Sequence, residues 1–177
     1  DSGVEWLGMV PRDWNKTKIK YDTYVKGRIG WQGLNSEEFT DVGPHLVTGS
    51  DFKGNQVIWE DCYRISEIRY LEAPAIQLKN GDLLVTKDGT IGKLAIVSEC
   101  PEKAVLNSGI FVTRCKNKAY ITKYMYYILL SKSFDFYVGL QSTGSTIKHL
   151  YQETFVNFIY ILPSVETQKV LIEFLDK

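Results

Sequence analysis

The chain has little cysteine and no Cys-x-x-Cys. Cys62, Cys100 and Cys115 are scattered, which argues against a thiolate zinc site or a disulfide framework and leaves reduced thiols as the expectation. It has no Gly-x-x-x-x-Gly-Lys-Ser/Thr loop, so nucleotide turnover by this chain is not expected. It also lacks the Gly-rich cofactor loop and the Asn/Asp-Pro-Pro-aromatic motif that a DNA methyltransferase would need. With two histidines, His45 and His149, far apart and no Gly-x-Ser-x-Gly elbow, hydrolase chemistry has no footing. A metal nuclease would want a second acid near Asp82 and Lys87, and Val85 stands in its place. No apolar run approaches a membrane span, and no basic, apolar leader opens the chain, so a cytoplasmic protein is expected. The first residue is Asp1 rather than Met, which suggests a processed chain. Acidic and basic residues balance at 21 each, which excludes a non-specific nucleic-acid coat but not a reader with local base contacts.

What is present suits an ordinary globular domain: 177 residues, 44% hydrophobic and 24% charged. Residues 1–15 read as an irregular arm whose Trp6 and Trp14 pack on the domain. Ile19 to Val25 fits a strand or a short helix. Strands are expected at His45–Thr48, Gln56–Trp59, Asp82–Thr86, Thr90–Val97 and Gly109–Arg114, with Lys87-Asp-Gly89 as a hairpin turn. Ser66 suits the cap of a short helix ending at Glu72. Helical spacing of Tyr124, Met125, Ile128 and Leu129 opens a helix that runs to about Val138. Tyr120, Tyr124, Tyr126, Tyr127, Phe134, Phe136 and Tyr137 could form a stacking stripe, but this spacing favours core packing. After the polar loop Gly139–Ser145, a turn of helix near Ile147–Gln152 precedes a last strand, Phe155–Leu162. Pro163 stops that strand, and Ser164 caps a final helix with Leu171, Ile172 and Leu175 on one face. A helix of about four turns is marginal alone, so it docks on this domain or is the start of a longer one. The sum is a mixed α+β fold with a β-rich centre and a few helices.

Four segments carry a resemblance. Leu162-Pro163 followed by Val165-Glu-Thr-Gln168 and an Ile/Leu-rich helix resembles the end of a target recognition domain in the DNA specificity subunits of type I restriction–modification enzymes. The family often has Glu-Glu-Gln there, and the difference is tolerable at the surface of a first helical turn. The opening Ser2-Gly-Val-Glu-Trp-Leu-Gly-Met-Val-Pro-Arg-Asp-Trp14 resembles that family's lead-in. Gly81-Asp-Leu-Leu-Val-Thr-Lys-Asp-Gly-Thr-Ile-Gly92 resembles its central segment, and Ser142-Thr-Gly-Ser-Thr-Ile-Lys-His-Leu150 resembles the loop before its last strand.

The resemblance implies one target recognition domain over residues 1–163 and the start of a spacer helix over 164–177. It implies a non-catalytic half of a specificity subunit that reads one part of a split sequence in double-stranded DNA. The partners implied are a methyltransferase subunit, which would carry S-adenosylmethionine, and through it a restriction subunit; this chain itself holds no cofactor. The apolar face of the final helix also suggests self-association. The alternatives are a catalytic restriction endonuclease fragment, the recognition region of a bifunctional enzyme, or an interaction domain without DNA contact.

The residues for DNA contact follow from side-chain chemistry. Lys26, Arg28, Trp31 and Gln32 share a Gly-spaced loop, and Arg and Gln are the types that bridge guanine and adenine edges. The alternative is a core Trp31 beside a solvated Arg28. Thr48, Ser50, Asp51 and Lys53 could reach phosphates or a cytosine amino group, or form an Asx-type turn. Lys87 suits a phosphate or an ordinary hairpin turn. Asn107 and Ser108, beside a glycine, suit a backbone approach or a plain turn. Thr143, Ser145, Thr146 and Lys148 combine hydroxyls, charge and a following helical turn, a pattern that favours phosphate or a capped helix start.

Overall fold

The computed structural model describes residues 1–29, 33–140 and 149–177. The fold is mixed α+β and divides into two compact units. One comprises Asp1–Tyr24 and Arg114–Lys177, the other Val25–Thr113. The chain leaves the first unit within strand β2 (Thr23–Gly27) and returns within β10 (Ile110–Cys115).

In the first unit, β1 (Asn15–Lys18) pairs antiparallel with β11 (Ile159–Leu162), with Asn15 opposite Leu162 and Lys18 opposite Ile159. Helices α1 (Ile19–Asp22), α3 (Thr122–Leu130), α4 (Lys132–Leu140), α5 (Gln152–Asn157) and α6 (Val165–Leu175) complete it. Its core is aromatic. Phe134 sits edge-on to Phe155 and Phe158, with ring centres 5.9 and 5.1 Å apart. The opening arm docks as expected: Trp6 lies 4.8 Å from the Tyr137 ring, and its Nε1 donates to the Ile159 carbonyl at 2.8 Å. Tyr120, Tyr124, Phe134 and Tyr137 are buried, so these rings of the late helices pack inward, while Phe136 is exposed.

Three expectations change here. The helix begun at Thr122 breaks at Ser131, whose backbone is extended and whose hydroxyl donates to the Ile128 carbonyl. Such a side chain competes with the helix ladder. The strand expected from Phe155 begins only at Ile159, because Phe155 and Phe158 enter the core from a short helix and its end. Gln168, expected at the surface of the first turn of α6, is fully buried. Ser164 caps α6 as expected, accepting from the Thr167 N–H at 3.2 Å. The helix docks on α3, and Lys123 Nζ meets Asp176 Oδ2 at 2.6 Å.

In the second unit, β2, β10, β7 (Leu83–Thr86) and β8 (Leu94–Ile96) form one antiparallel-rich sheet in that order. A three-stranded sheet has the order β6 (Tyr63–Ile65), β3 (Phe39–Val47), β9 (Ala104–Leu106), with β3 and β9 parallel. The strands β4 (Phe52–Lys53) and β5 (Gln56–Val57) make a hairpin. Helix α2 (Glu67–Leu71) has Ser66 as its cap, as expected. Leu46, Ile65, Leu84, Val85, Val105 and Ile110 are fully buried between these strands. The Ile19–Val25 ambiguity resolves into both forms, α1 followed by β2. Strands β1, β6 and β9 have no counterpart in the sequence reading. They are three or four residues long, too short to show a period.

Candidate nucleic-acid interface

Two loops of the second unit meet around a cleft of about 310 Å³, lined by Gly49, Ser50, Thr86, Asp88, Gly89, Thr90 and Lys93. One loop follows β3 and the other joins β7 to β8. The second is longer than the expected three-residue turn, because β8 starts at Leu94 rather than Thr90. Thr86 closes it: its backbone N–H donates to the Lys93 carbonyl at 3.0 Å, its carbonyl accepts from Gly92, and its hydroxyl accepts from the Lys93 N–H at 2.9 Å. Lys93 then reaches across the cleft and donates to the Gly49 carbonyl at 3.1 Å. A Cβ on Gly49 would stand 3.1 Å from the Thr86 methyl, a tighter contact than side chains usually make.

The loop after β3 is a capping box. The Asp51 carboxylate accepts from the Thr48 N–H at 2.7 Å and from the Thr48 hydroxyl at 3.0 Å. Asp51 is buried and engaged as the reciprocal partner of this box, so it is neither an Asx-type turn nor an acceptor offered to a base. Ser50 remains exposed, with its Oγ 2.7 Å from Thr48 Oγ1. Lys53 is exposed and pairs with Asp61 at 2.6 Å, which raises its already high pKa.

Lys87 is buried, with Nζ 3.4 Å from Asp88 Oδ2 and 5.7 Å from the centre of the Phe111 ring. Its backbone N–H donates to the Gly109 carbonyl at 2.7 Å, which brings the Asn107–Gly109 turn against the same loop. Asn107 is buried, and Ser108 is partly exposed. Lys26 is exposed on β2. Arg28, expected as a base-reading or solvated charge, is instead buried. Its Nε donates to the Leu106 carbonyl at 2.9 Å, and its Nη2 has no hydrogen-bond partner among the described residues. Burial, with Arg69 nearby, lowers its pKa. Trp31, Gln32, Thr143, Ser145, Thr146 and Lys148 lie outside the described residues.

Thus the second unit gathers the segments at 48–53, 86–93 and 107–109, and turns Arg28, Asp51, Lys87 and Asn107 inward. Lys93 was missed by the sequence reading; no local pattern marks a lysine that crosses to a loop more than forty positions away. A second polar cleft, lined by residues that include Gly43, His45, Arg64, Glu67 and Lys103, holds Arg64 Nη1 3.1 Å from His45 Nδ1. Burial and Arg64 both lower the His45 pKa. Asp82, the acid of the nuclease alternative, is buried and accepts from the Lys79 N–H at 3.0 Å. Among the described residues, no cluster of His, Cys, Asp and Glu is placed to hold a metal, and no helix is long and apolar enough to cross a membrane.

Comparison with known proteins finds a matching family. The family described as type I restriction modification DNA specificity domain matches residues 33–177. The type I restriction enzyme MjaVIII specificity subunit of Methanocaldococcus jannaschii is 21% identical over 171 residues, which is 94% of this chain and 40% of that subunit. The crystal structure of the HsdS subunit from Thermoanaerobacter tengcongensis superposes with a TM-score of 0.69 at 17% identity, over 96% of this chain and 38% of the other. The type-I restriction-modification S subunit from M. genitalium gives 0.58 at 14% identity, over 93% and 39%. At these identities the structural likeness shows the fold. The chain spans about two fifths of the length of these relatives. With the family matched from residue 33 to the last residue, the chain belongs to the type I restriction modification DNA specificity domain family.

Proposed function

We propose that this chain is a target recognition domain that reads one part of a split sequence in double-stranded DNA, and that it works as half of a specificity subunit. Residues 1–163 act as the reader, and 164–177 begin the spacer helix. The observation that carries this reading is the meeting of the loop after β3 and the β7–β8 loop around a cleft with hydroxyls, glycines and a bridging lysine, with the 107–109 turn hydrogen-bonded to Lys87 of the second loop. Hydroxyls and lysines of this kind position a DNA backbone, while base edges supply the sequence signal. Thr48, Ser50, Lys53, Thr90, Lys93 and Ser108 are the described residues best placed for this contact, with Lys26 on β2 as a further cation. Trp31, Gln32, Thr143, Ser145, Thr146 and Lys148 stay in the proposal on their chemistry alone.

The chain acts in the cytoplasm without catalytic residues or a cofactor of its own. It directs a methyltransferase subunit, which binds S-adenosylmethionine, and through it a restriction subunit. A duplex titration over a range of salt tests the reading. Lys53→Ala and Lys93→Ala should each reduce the salt slope by about one, whereas Lys123→Ala on α3 should not. Equal slopes for the native chain and both variants would remove these loops from the interface.

A further inference from the structure

The three loops share one buried residue. Asn107 stands just after β9 and treats Leu34 as a neighbouring strand would. Its Oδ1 accepts from the Leu34 N–H at 2.9 Å, and its Nδ2 donates to the Leu34 carbonyl at 2.9 Å. The same Oδ1 accepts from the Ser108 N–H at 2.9 Å. The Asn107 backbone N–H donates to the Val47 carbonyl at 2.9 Å, immediately before the Thr48 loop. One residue earlier, the Leu106 carbonyl accepts from Arg28 Nε. Two residues later, Gly109 takes the Lys87 N–H, and a Cβ on Gly109 would lie 3.5 Å from the Asp88 side chain. Asn107 therefore ties together the segment at 34, the loop at 48, the turn at 108 and, through Gly109, the Lys87–Asp88 wall of the cleft.

Both ends of this amide are engaged inside the protein, so a base edge would have to displace bonds already made. An amide held at both its oxygen and its nitrogen fixes the segments it joins, and a preformed surface loses less freedom on binding. We infer that Asn107, with Arg28 beside it, is a positioning residue for DNA discrimination. It holds the loops in one arrangement before DNA arrives and contacts no base itself. This rests on the DNA-reading function proposed above.

The test uses Asn107→Ala and Asn107→Asp, amide hydrogen exchange on the DNA-free chain, and selection of bound duplexes from a random pool at low salt. In the alanine variant, Leu34, Ser108 and Lys87 should exchange at least about tenfold faster while Leu84 and Val85 keep their protection. Discrimination should fall at two or more base pairs with the salt slope unchanged. The aspartate variant should resemble alanine at pH 7. It should recover discrimination as pH falls and the carboxyl regains a proton to donate to the Leu34 carbonyl; alanine should not recover. A loss confined to one base pair with native exchange would make Asn107 a direct reader and overturn the inference. So would a salt slope reduced by about one, the mark of a phosphate contact. Lost protection with an unchanged base profile would also overturn it, leaving a merely structural residue. If the native chain selects no duplex, the DNA-reading function itself fails, an outcome that variants are not needed to recognise.

Discussion

Gln168 on α6 holds the start of α3. Its Oε1 accepts from the Ile121 N–H at 2.9 Å, and its Nε2 donates to the carbonyls of Ala119 at 3.1 Å and Pro163 at 3.0 Å. Ile121, the N-cap of α3, offers no side-chain cap of its own, so the glutamine reaches the helix start from a distance of 47 positions. The last helix is thereby fixed to the first unit by a side chain with no solvent exposure.

Gln168→Ala strands one buried carbonyl, of Pro163, and two part-buried groups, the Ile121 N–H and the Ala119 carbonyl. A loss of about 2–4 kcal/mol is expected in urea unfolding of the chain. Gln168→Glu keeps the acceptor but turns a carboxylate toward two carbonyls, so it should be at least as destabilised at neutral pH. A loss below about 1 kcal/mol for both variants would mean that α6 is held by its apolar contacts instead.

Gln168 also shows where sequence reading stops. Pro163, the Ser164 cap and the apolar spacing of Leu171, Ile172 and Leu175 are local signals, and α6 forms where they place it. The burial of a polar residue on that helix depends on a partner far along the chain, which no local pattern contains. The same holds at the candidate interface. The loops at 48–53, 86–90 and 107–109 were legible from glycines and small polar residues, because turn chemistry is local. That Arg28 and Asn107 face inward was not, since their partners Leu106 and Leu34 lie more than seventy positions away. The segment Phe155–Phe158 failed for another reason: a short apolar run fits a helix or a strand equally well until tertiary packing decides.

Asp176 anchors the other end of α6. Its carboxylate takes bonds from Lys123 and Tyr127, which hold its pKa below the ordinary 3.8. A depressed carboxylate stabilises the fold above its unfolded pKa, and this contribution disappears as pH falls through the folded value. Amide exchange near residues 173–176 should therefore speed up below about pH 4 beyond the intrinsic trend, and Asp176→Asn should show fast exchange at every pH. Identical exchange profiles for the two proteins at pH 6 would contradict this clamp.

Gly43 sits in the bulge of β3 between Thr40 and His45, with φ at +124°. A Cβ there would lie 2.4 Å from the Ile65 carbonyl oxygen. Gly43→Ala should cost about 1–3 kcal/mol, through backbone strain and displacement of β6. Thermal unfolding checks it, and an unchanged Tm would show that the bulge can relax.

Burial and the neighbouring Arg64 disfavour the charged form of His45. Its pKa lies below the ordinary 6.5, so the unfolded chain binds the proton more readily than the folded one. Stability from this site is complete above about pH 6.5 and declines as pH falls below it. His45→Gln should flatten the Tm profile between pH 7 and pH 5. A native profile already flat over that range would remove His45 from the pH response.

The most direct measurement is a hydrogen-exchange footprint of the chain saturated with duplex DNA at low salt. Residues 48–53, 86–93 and 107–109 should gain protection together, and raising the salt should reverse the gain. Saturating duplex that leaves all three segments unchanged would contradict a DNA-reading face built from these loops.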